Sequence, residues 1–321
     1  MKKAVVIGAG QTGRGYVTRF LFQSDYAITF IDKNEKLIRM LDEDRAFCIH
    51  FYKKDRTPIQ DADFIVTSTG EQNLGDVAQQ VKAGMHNKQK KTVFLTAENG
   101  INPAKVLRTH LQEAGVEGDY TVTQTAVFCS TVSVHDTRLD ILSMNEAYFP
   151  FDADELEELD FEGAVPIHNF EKFFKRKIYT YNCLAGLISY CGYIKGYEVY
   201  GDAACDPDID AVMMRLMEEL NPALQDYFQI TKEDQEAFTN RALAKFRDKS
   251  ILDYNIKNGR APARKLGPTE RIMSPMQILL DHDKDPRIME FVAAAALVYW
   301  DELQGKTEPK MDKDLITTFC E

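Results

Sequence analysis

A four-residue apolar run, Ala4 to Ile7, leads straight into Gly8-Ala9-Gly10-Gln11-Thr12-Gly13, and a stretch of helical character follows from Gly13 to Gln23. Each glycine has its own steric reason. The first permits a tight turn, the second lets backbone amides approach a pyrophosphate, and the third lets the helix pack closely on the strand. The N-terminus of that helix then favours the phosphate charge. Asp32 ends the next β-branched run, 24 residues after Gly8. An acid there accepts hydrogen bonds from the adenosine ribose 2′-hydroxyl and repels a 2′-phosphate. Together these features predict a Rossmann-type domain that takes NAD rather than NADP, held by Gly8, Ala9, Gly10, Gln11, Thr12, Gly13 and Asp32.

The pattern continues as alternating strands and helices to about residue 130, the mark of β-α-β units around a doubly wound parallel sheet. Strands are expected at Ala4 to Ile7, Ala27 to Ile31, Phe64 to Ser68, Thr92 to Thr96 and Thr121 to Phe128. Helices are expected at Gly13 to Gln23, Glu35 to Leu41, Asn73 to Lys82 and Pro103 to Glu113, the last with Asn102 as N-cap. A further run, Phe47 to Tyr52, reads as a strand pairing with an insert. Thr67-Ser68-Thr69-Gly70 ends one strand and Ala97-Glu98-Asn99-Gly100 the next, at the carboxyl edge where open α/β sheets bind ligands. Ser68 and Thr69 are therefore read as cofactor contacts. Asn99 either faces the nicotinamide and substrate or caps its loop.

An acidic, turn-rich stretch from Asp152 to Gly163, followed by Pro166, places a boundary near residue 167. Beyond it the chain reads as helices: about Phe173 to Lys195, Pro207 to Tyr227, Thr231 to Arg247, Pro275 to Leu280 and Pro286 to Leu303. The expected fold is α/β, with a Rossmann-type NAD-binding domain over 1–167 and a mainly α-helical substrate domain over 168–321. A length of 321 residues suits two domains. The net charge of −11 disfavours binding to nucleic acid or anionic membranes, so a basic site must be local. The six cysteines are scattered without metal-ligand spacing, and no metal is expected. No signal-peptide core follows Met1, and the longest late apolar run, Phe291 to Trp300, is too short to span a bilayer. A reduced cytoplasmic setting is the expectation.

Three blocks carry a resemblance to a known family. They are Gly8-Ala9-Gly10-Gln11-Thr12-Gly13-Arg14-Gly15, then Lys177-x4-Asn182, then Gly259-Arg260-Ala261-Pro262-Ala263-Arg264-Lys265-Leu266 with Arg271 downstream. In this order they resemble the polyol-specific long-chain dehydrogenase/reductase family, the mannitol dehydrogenases, over nearly the whole chain. The resemblance implies hydride exchange between NAD and a secondary alcohol of a sugar alcohol, with the keto sugar as the other partner and no metal. It implies Lys177 as the acid/base, and Asn182 and Asn99 as hydrogen-bond donors to the reacting oxygen. It also places Arg264 and Lys265 near the substrate.

The family motif continues to a histidine, and this chain has Ala185 there, which offers no side-chain hydrogen bond. Tyr179, Tyr181, Tyr190 and His168 are candidates to compensate. Lys177 must lose about 4 kcal/mol of its preference for the charged form, through burial and neighbouring positive charge, to act as a base near neutral pH. Arg260, Arg264, Lys265 and Arg271 read either as an anion clamp suited to a sugar phosphate or as partners of acids such as Asp253 and Glu270. His282 reads as a loop histidine and Cys183 as an inert thiol. The leading expectation is a dehydrogenase of a hexitol phosphate such as mannitol 1-phosphate. The alternatives are a reductase of an unphosphorylated polyol or keto sugar acid, and an NAD-binding sensor that has lost catalysis.

Overall fold

Val5 and Ile7 face one side of their strand and Ala4 and Val6 the other, and all four are buried. A strand covered on both faces belongs in a parallel sheet flanked by helices. The structure, a computed structural model, describes residues 2–44, 62–86, 88, 90–100, 102–133, 139–144, 148–161, 163–305 and 313–320. The expected strand at Phe47 to Tyr52 lies outside these residues.

Among the described residues five strands form the main sheet: β1 (Lys2–Ile7), β2 (Tyr26–Ile31), β3 (Phe64–Thr67), β4 (Thr92–Thr96) and β5 (Tyr120–Gln124). Their order is β2-β1-β3-β4-β5 and every pairing is parallel. A π-wound turn, Gly13–Val17, leads into α1 (Thr18–Gln23), and α2 (Glu35–Asp44) follows β2. Tyr16, Phe20, Leu21 and Leu41 from these segments pack on Ala4, Val6, Ile28 and Val66. The other face is covered by α3 (Leu74–Met85) and α4 (Pro103–Glu113), whose Leu74, Val77, Val81, Leu107 and Leu111 pack on Val5, Ile7, Ile65 and Phe94. Asn102 caps α4 by accepting from Lys105 N at 3.2 Å.

The expected strand from Thr121 to Phe128 stops at Gln124, because β4 ends at Thr96 and Thr125 N–H takes the Thr96 carbonyl as its last partner across that edge. Four short strands after β5 carry no sequence signal. They are β6 (Thr131–Ser133) antiparallel to β7 (Ile141–Ser143), and β8 (Phe149–Asp152) parallel to β9 (Ala164–Ile167). Phe149 and Phe161 join the aromatic cluster around Tyr16, which stacks on Phe149 with ring centres 5.5 Å apart.

The chain divides into two compact units, 1–173 and 174–321. The division falls within α5 (Phe170–Lys177), which runs through a second π-wound turn, Ile178–Asn182, into α6 (Cys183–Ile194). The second unit continues with α7 (Tyr200–Ala204), α8 (Pro207–Phe228), α9 (Lys232–Arg247), α10 (Asn255–Gly259), α11 (Pro262–Lys265), α12 (Met273–Asp281) and α13 (Arg287–Leu303). Its centre is α6, apolar on every side, with Leu184, Leu187, Ile188 and Tyr190 all buried. Asp206 and Thr231 cap α8 and α9 through their side-chain oxygens. Among the described residues no helix is long and apolar enough to cross a membrane.

Candidate functional site

β2 lies on one side of β1 and β3, β4 and β5 on the other, so the carboxyl ends of β1 and β3 make the crevice where such sheets hold ligands. Gly8 leaves β1 with φ +98°, and a Cβ there would collide with the Ser68 carbonyl at the end of β3. A Cβ at Gly13 would strike the Gly8 carbonyl. At Gly10 a Cβ would meet no atom within 4 Å, which leaves the backbone open to an approaching pyrophosphate. Asp32 accepts Ala9 N–H at 2.7 Å on Oδ2 and Asn34 N–H at 2.8 Å on Oδ1. Each oxygen keeps a lone pair for a ribose hydroxyl. Gln11 bonds Ser133 Oγ at 3.1 Å, and the Thr12 side chain makes no capping bond to the helix it precedes. These residues fit a dinucleotide.

The Gly13-Arg14-Gly15 extension has a structural reason of its own. Arg14 is buried, and its guanidinium donates to the Ala9 carbonyl at 2.7 Å and to the Leu139 carbonyl. Gly15 leaves room for β7, since a Cβ would stand 2.5 Å from Ile141 Cγ2 and 3.1 Å from Thr131 Cγ2.

Ser68 N–H donates to the Ile7 carbonyl at 2.9 Å, which places Ser68 and Thr69 beside the Gly8 turn. Asn99 follows β4 on the same edge and is exposed. The residue before it, Glu98, is buried and accepts from Thr69 N and Gly70 N, each at 2.8 Å. Thr67 Oγ1 is buried at this edge with no hydrogen-bond partner among the described residues.

In the second unit Lys177 closes α5. It is 3% exposed, with its ammonium 5.3 Å from the centre of the Phe174 ring. Burial first, and then the charges of Lys245 and Arg271, hold it at about 7 instead of the ordinary 10.5. The π turn explains the five-residue spacing to Asn182. On an α-helix, residues five apart point about 140° away from each other. In π winding the bond runs i to i+5, as when Cys183 N–H donates to the Ile178 carbonyl, which brings residues five apart nearer to one face than an α-helix does.

Buried Gln235 anchors this turn, donating to Thr180 Oγ1 and Asn221 Oδ1 at 3.1 Å and accepting from Arg176 Nε at 2.9 Å. Ala185 is half-buried in the first turn of α6, where Ser189 Oγ donates to its carbonyl at 2.7 Å. A Cβ added at neighbouring Gly186 would meet nothing within 4 Å. Of the candidates to replace the missing imidazole, Tyr181 is buried against Phe238, Tyr179 stacks on Phe228, and His168 pairs with Asp154 at 2.7 Å. Tyr190 donates to the Gly259 carbonyl at 3.1 Å.

That last bond ties α6 to the basic block. Arg260 is exposed, and Ala261 takes φ +55° to start α11. Lys265 is 3% exposed, bonds the Asn258 carbonyl and lies 5.7 Å from the Tyr190 ring centre. Burial, with Arg271, Arg264 and Arg260 nearby, holds it at about 6. Burial also lowers Arg271 from its ordinary value, against the opposing pull of Glu270. Glu270 takes Arg264 at 2.8 Å and Arg271 Nε at 3.1 Å, whereas Asp253 pairs with Lys257. The block is therefore partly neutralised internally, and Lys265 is not the fixed point charge that its sequence context suggests. Burial pushes the Cys183 thiol up to about 12. His282 is tied to the Ile278 carbonyl at 2.7 Å and lies 3.3 Å from Asp226. Lys245 and Gln235 have no sequence signal, because they reach the π turn from a distant helix.

Among proteins of known family, the mannitol dehydrogenase Rossmann domain matches residues 2–114, and the mannitol dehydrogenase C-terminal domain matches residues 169–318. A mannitol-1-phosphate 5-dehydrogenase of Thermoanaerobacter pseudethanolicus is 25% identical, over 93% of this chain and 86% of its own. One from Shouchella clausii is also 25% identical, over 99% and 95%. Among solved structures, mannitol 2-dehydrogenase of Pseudomonas fluorescens, in a ternary complex with NAD and D-mannitol, superposes with a TM-score of 0.73. It does so at 12% identity, over 99% of this chain and 83% of that one. A D-sorbitol dehydrogenase gives 0.71 at 12% identity, over 98% and 85%.

Proposed function

The chain belongs to the mannitol dehydrogenase family, and from that premise we propose that it interconverts a hexitol phosphate, such as mannitol 1-phosphate, with its keto sugar. NAD, held at the glycine turn, would supply the hydride acceptor for oxidation of the carbinol and the hydride donor for the reverse reaction. Lys177 takes the proton of the hydroxyl as the alcohol becomes a ketone, and gives it back on reduction. Asn182 and Asn99 donate to the reacting oxygen as its charge develops. Arg264, Arg260 and Arg271 bind the phosphate, and Lys265 becomes charged when the anion arrives.

The single observation that carries this reading is Lys177: a buried amine held at about 7, closing the helix that leads into the π turn containing Asn182. An amine with that pKa serves as base and as acid near neutral pH. The closeness of Lys265 and Arg271 on the same unit favours an anionic substrate.

Formation of NADH with mannitol 1-phosphate, glucitol 6-phosphate and free mannitol tests the reading. A kcat/KM on a phosphorylated hexitol at least about 100-fold above that on the free polyol is expected, as for one charged clamp. Equal rates would leave an unphosphorylated polyol as the substrate. Ala185, which offers no side-chain hydrogen bond where the family motif carries a histidine, favours one second reading, an NAD-binding protein with impaired catalysis. Cofactor binding without turnover on any of the three would select it.

A further inference from the structure

Glu98 is a carboxylate only 3% exposed, and none of the roles above employs it. Two successive backbone amides converge on it, Thr69 N–H on Oε1 and Gly70 N–H on Oε2, both at 2.8 Å. Thr69 Oγ1 adds a longer contact to Oε1 at 3.4 Å. Two successive amides that face one side in a turn form a nest for an anion, and Gly70 then leaves the turn with φ +90°. The chain fills this nest with its own carboxylate. Asn73 closes the other side of the turn by donating to the Thr69 carbonyl at 2.7 Å. The same turn presents the Ser68 carbonyl that forbids a side chain at Gly8. Asn99 is the next residue after the carboxylate.

We propose that Glu98 is a positioning residue. By capturing the Thr69 and Gly70 amides it fixes the 68–70 turn against the Gly8 turn, and it sets the direction of Asn99. A carboxylate suits this task because it offers two acceptors to two donors, with short charge-assisted bonds. Glutamine would turn an NH2 group toward an N–H. The consequence for Asn99 rests on the function proposed above, and the consequence for the cofactor turn does not.

The test follows NADH affinity by fluorescence and hydrogen exchange of the 68–73 segment by mass spectrometry. Glu98→Gln is expected to lose about tenfold in both affinity and protection, with kcat falling more than substrate KM rises. In Glu98→Ala, added formate is expected to restore both by re-entering the amide nest, whereas it leaves Glu98→Gln unchanged. Wild-type NADH affinity and protection in Glu98→Gln, or no formate response in Glu98→Ala, would overturn the proposal. A glutamine variant that no longer folds would assign Glu98 to folding alone and overturn it equally. Neither of the first two measurements uses a polyol, so failure of the proposed reaction and failure of this proposal are separate results.

Discussion

Burial dominates the chemistry of Lys177, and it has consequences at two levels. For polyol oxidation, kcat/KM should fall about tenfold for each pH unit below about 7, where the amine is protonated. Lys177→Met should lower turnover by about 100-fold or more while NADH affinity changes less than threefold. Stability follows the same proton. The unfolded chain binds it at about 10.5 and the folded chain at about 7, so the unfolded state holds more proton between those values and stability rises with pH across that window. Below about 7 the full cost of the buried charge is present. Thermal melts should therefore show Lys177→Met gaining most over wild type near pH 6, with the gain fading toward pH 10. An equal gain at both ends would contradict burial as the cause. Lys177 is nameable from its motif, but its environment is not. The buried faces and Lys245 come from helices far along the chain, and no local spacing encodes them.

At the scale of elements, the glycine turn, the β1 to β5 strands and the long helices are legible because each has a local cause: alternation, a cap, or a glycine with no permitted substitute. The π turn is not. A pattern reader counts in steps of three and four, and Lys177 and Asn182 stand five apart. The short strands β6 to β9 escape as well, since three or four residues have no periodicity and their partners lie across loops. The turn depends on an outside clamp, which gives its own test. Gln235→Leu should cost about 2–4 kcal/mol in urea denaturation, because it strands the buried Arg176 Nε and Thr180 Oγ1 contacts together. It should also lower kcat more than it raises the KM for substrate. A variant with wild-type kcat would show that the winding holds without its anchor.

The glycine turn and its acid are legible in the first 32 residues, whereas the Ser68 carbonyl that closes on Gly8 comes from the end of β3. The basic block could be located but not weighed, since Glu270 and the depth of Lys265 decide how much positive charge it offers. That depth alters the charge of the protein itself. The formal −11 counts every lysine as a cation, yet with Lys177 near 7 and Lys265 near 6 the molecule near pH 8 is about two charges more negative. An arriving phosphate that protonates Lys265 brings a proton with it from the solvent. Native electrophoretic mobility should then shift by less than the ligand's own charge, and Lys265→Met should restore the full shift. Near pH 8 the two hidden lysines leave this protein with two vacant proton sites that its composition counts as filled.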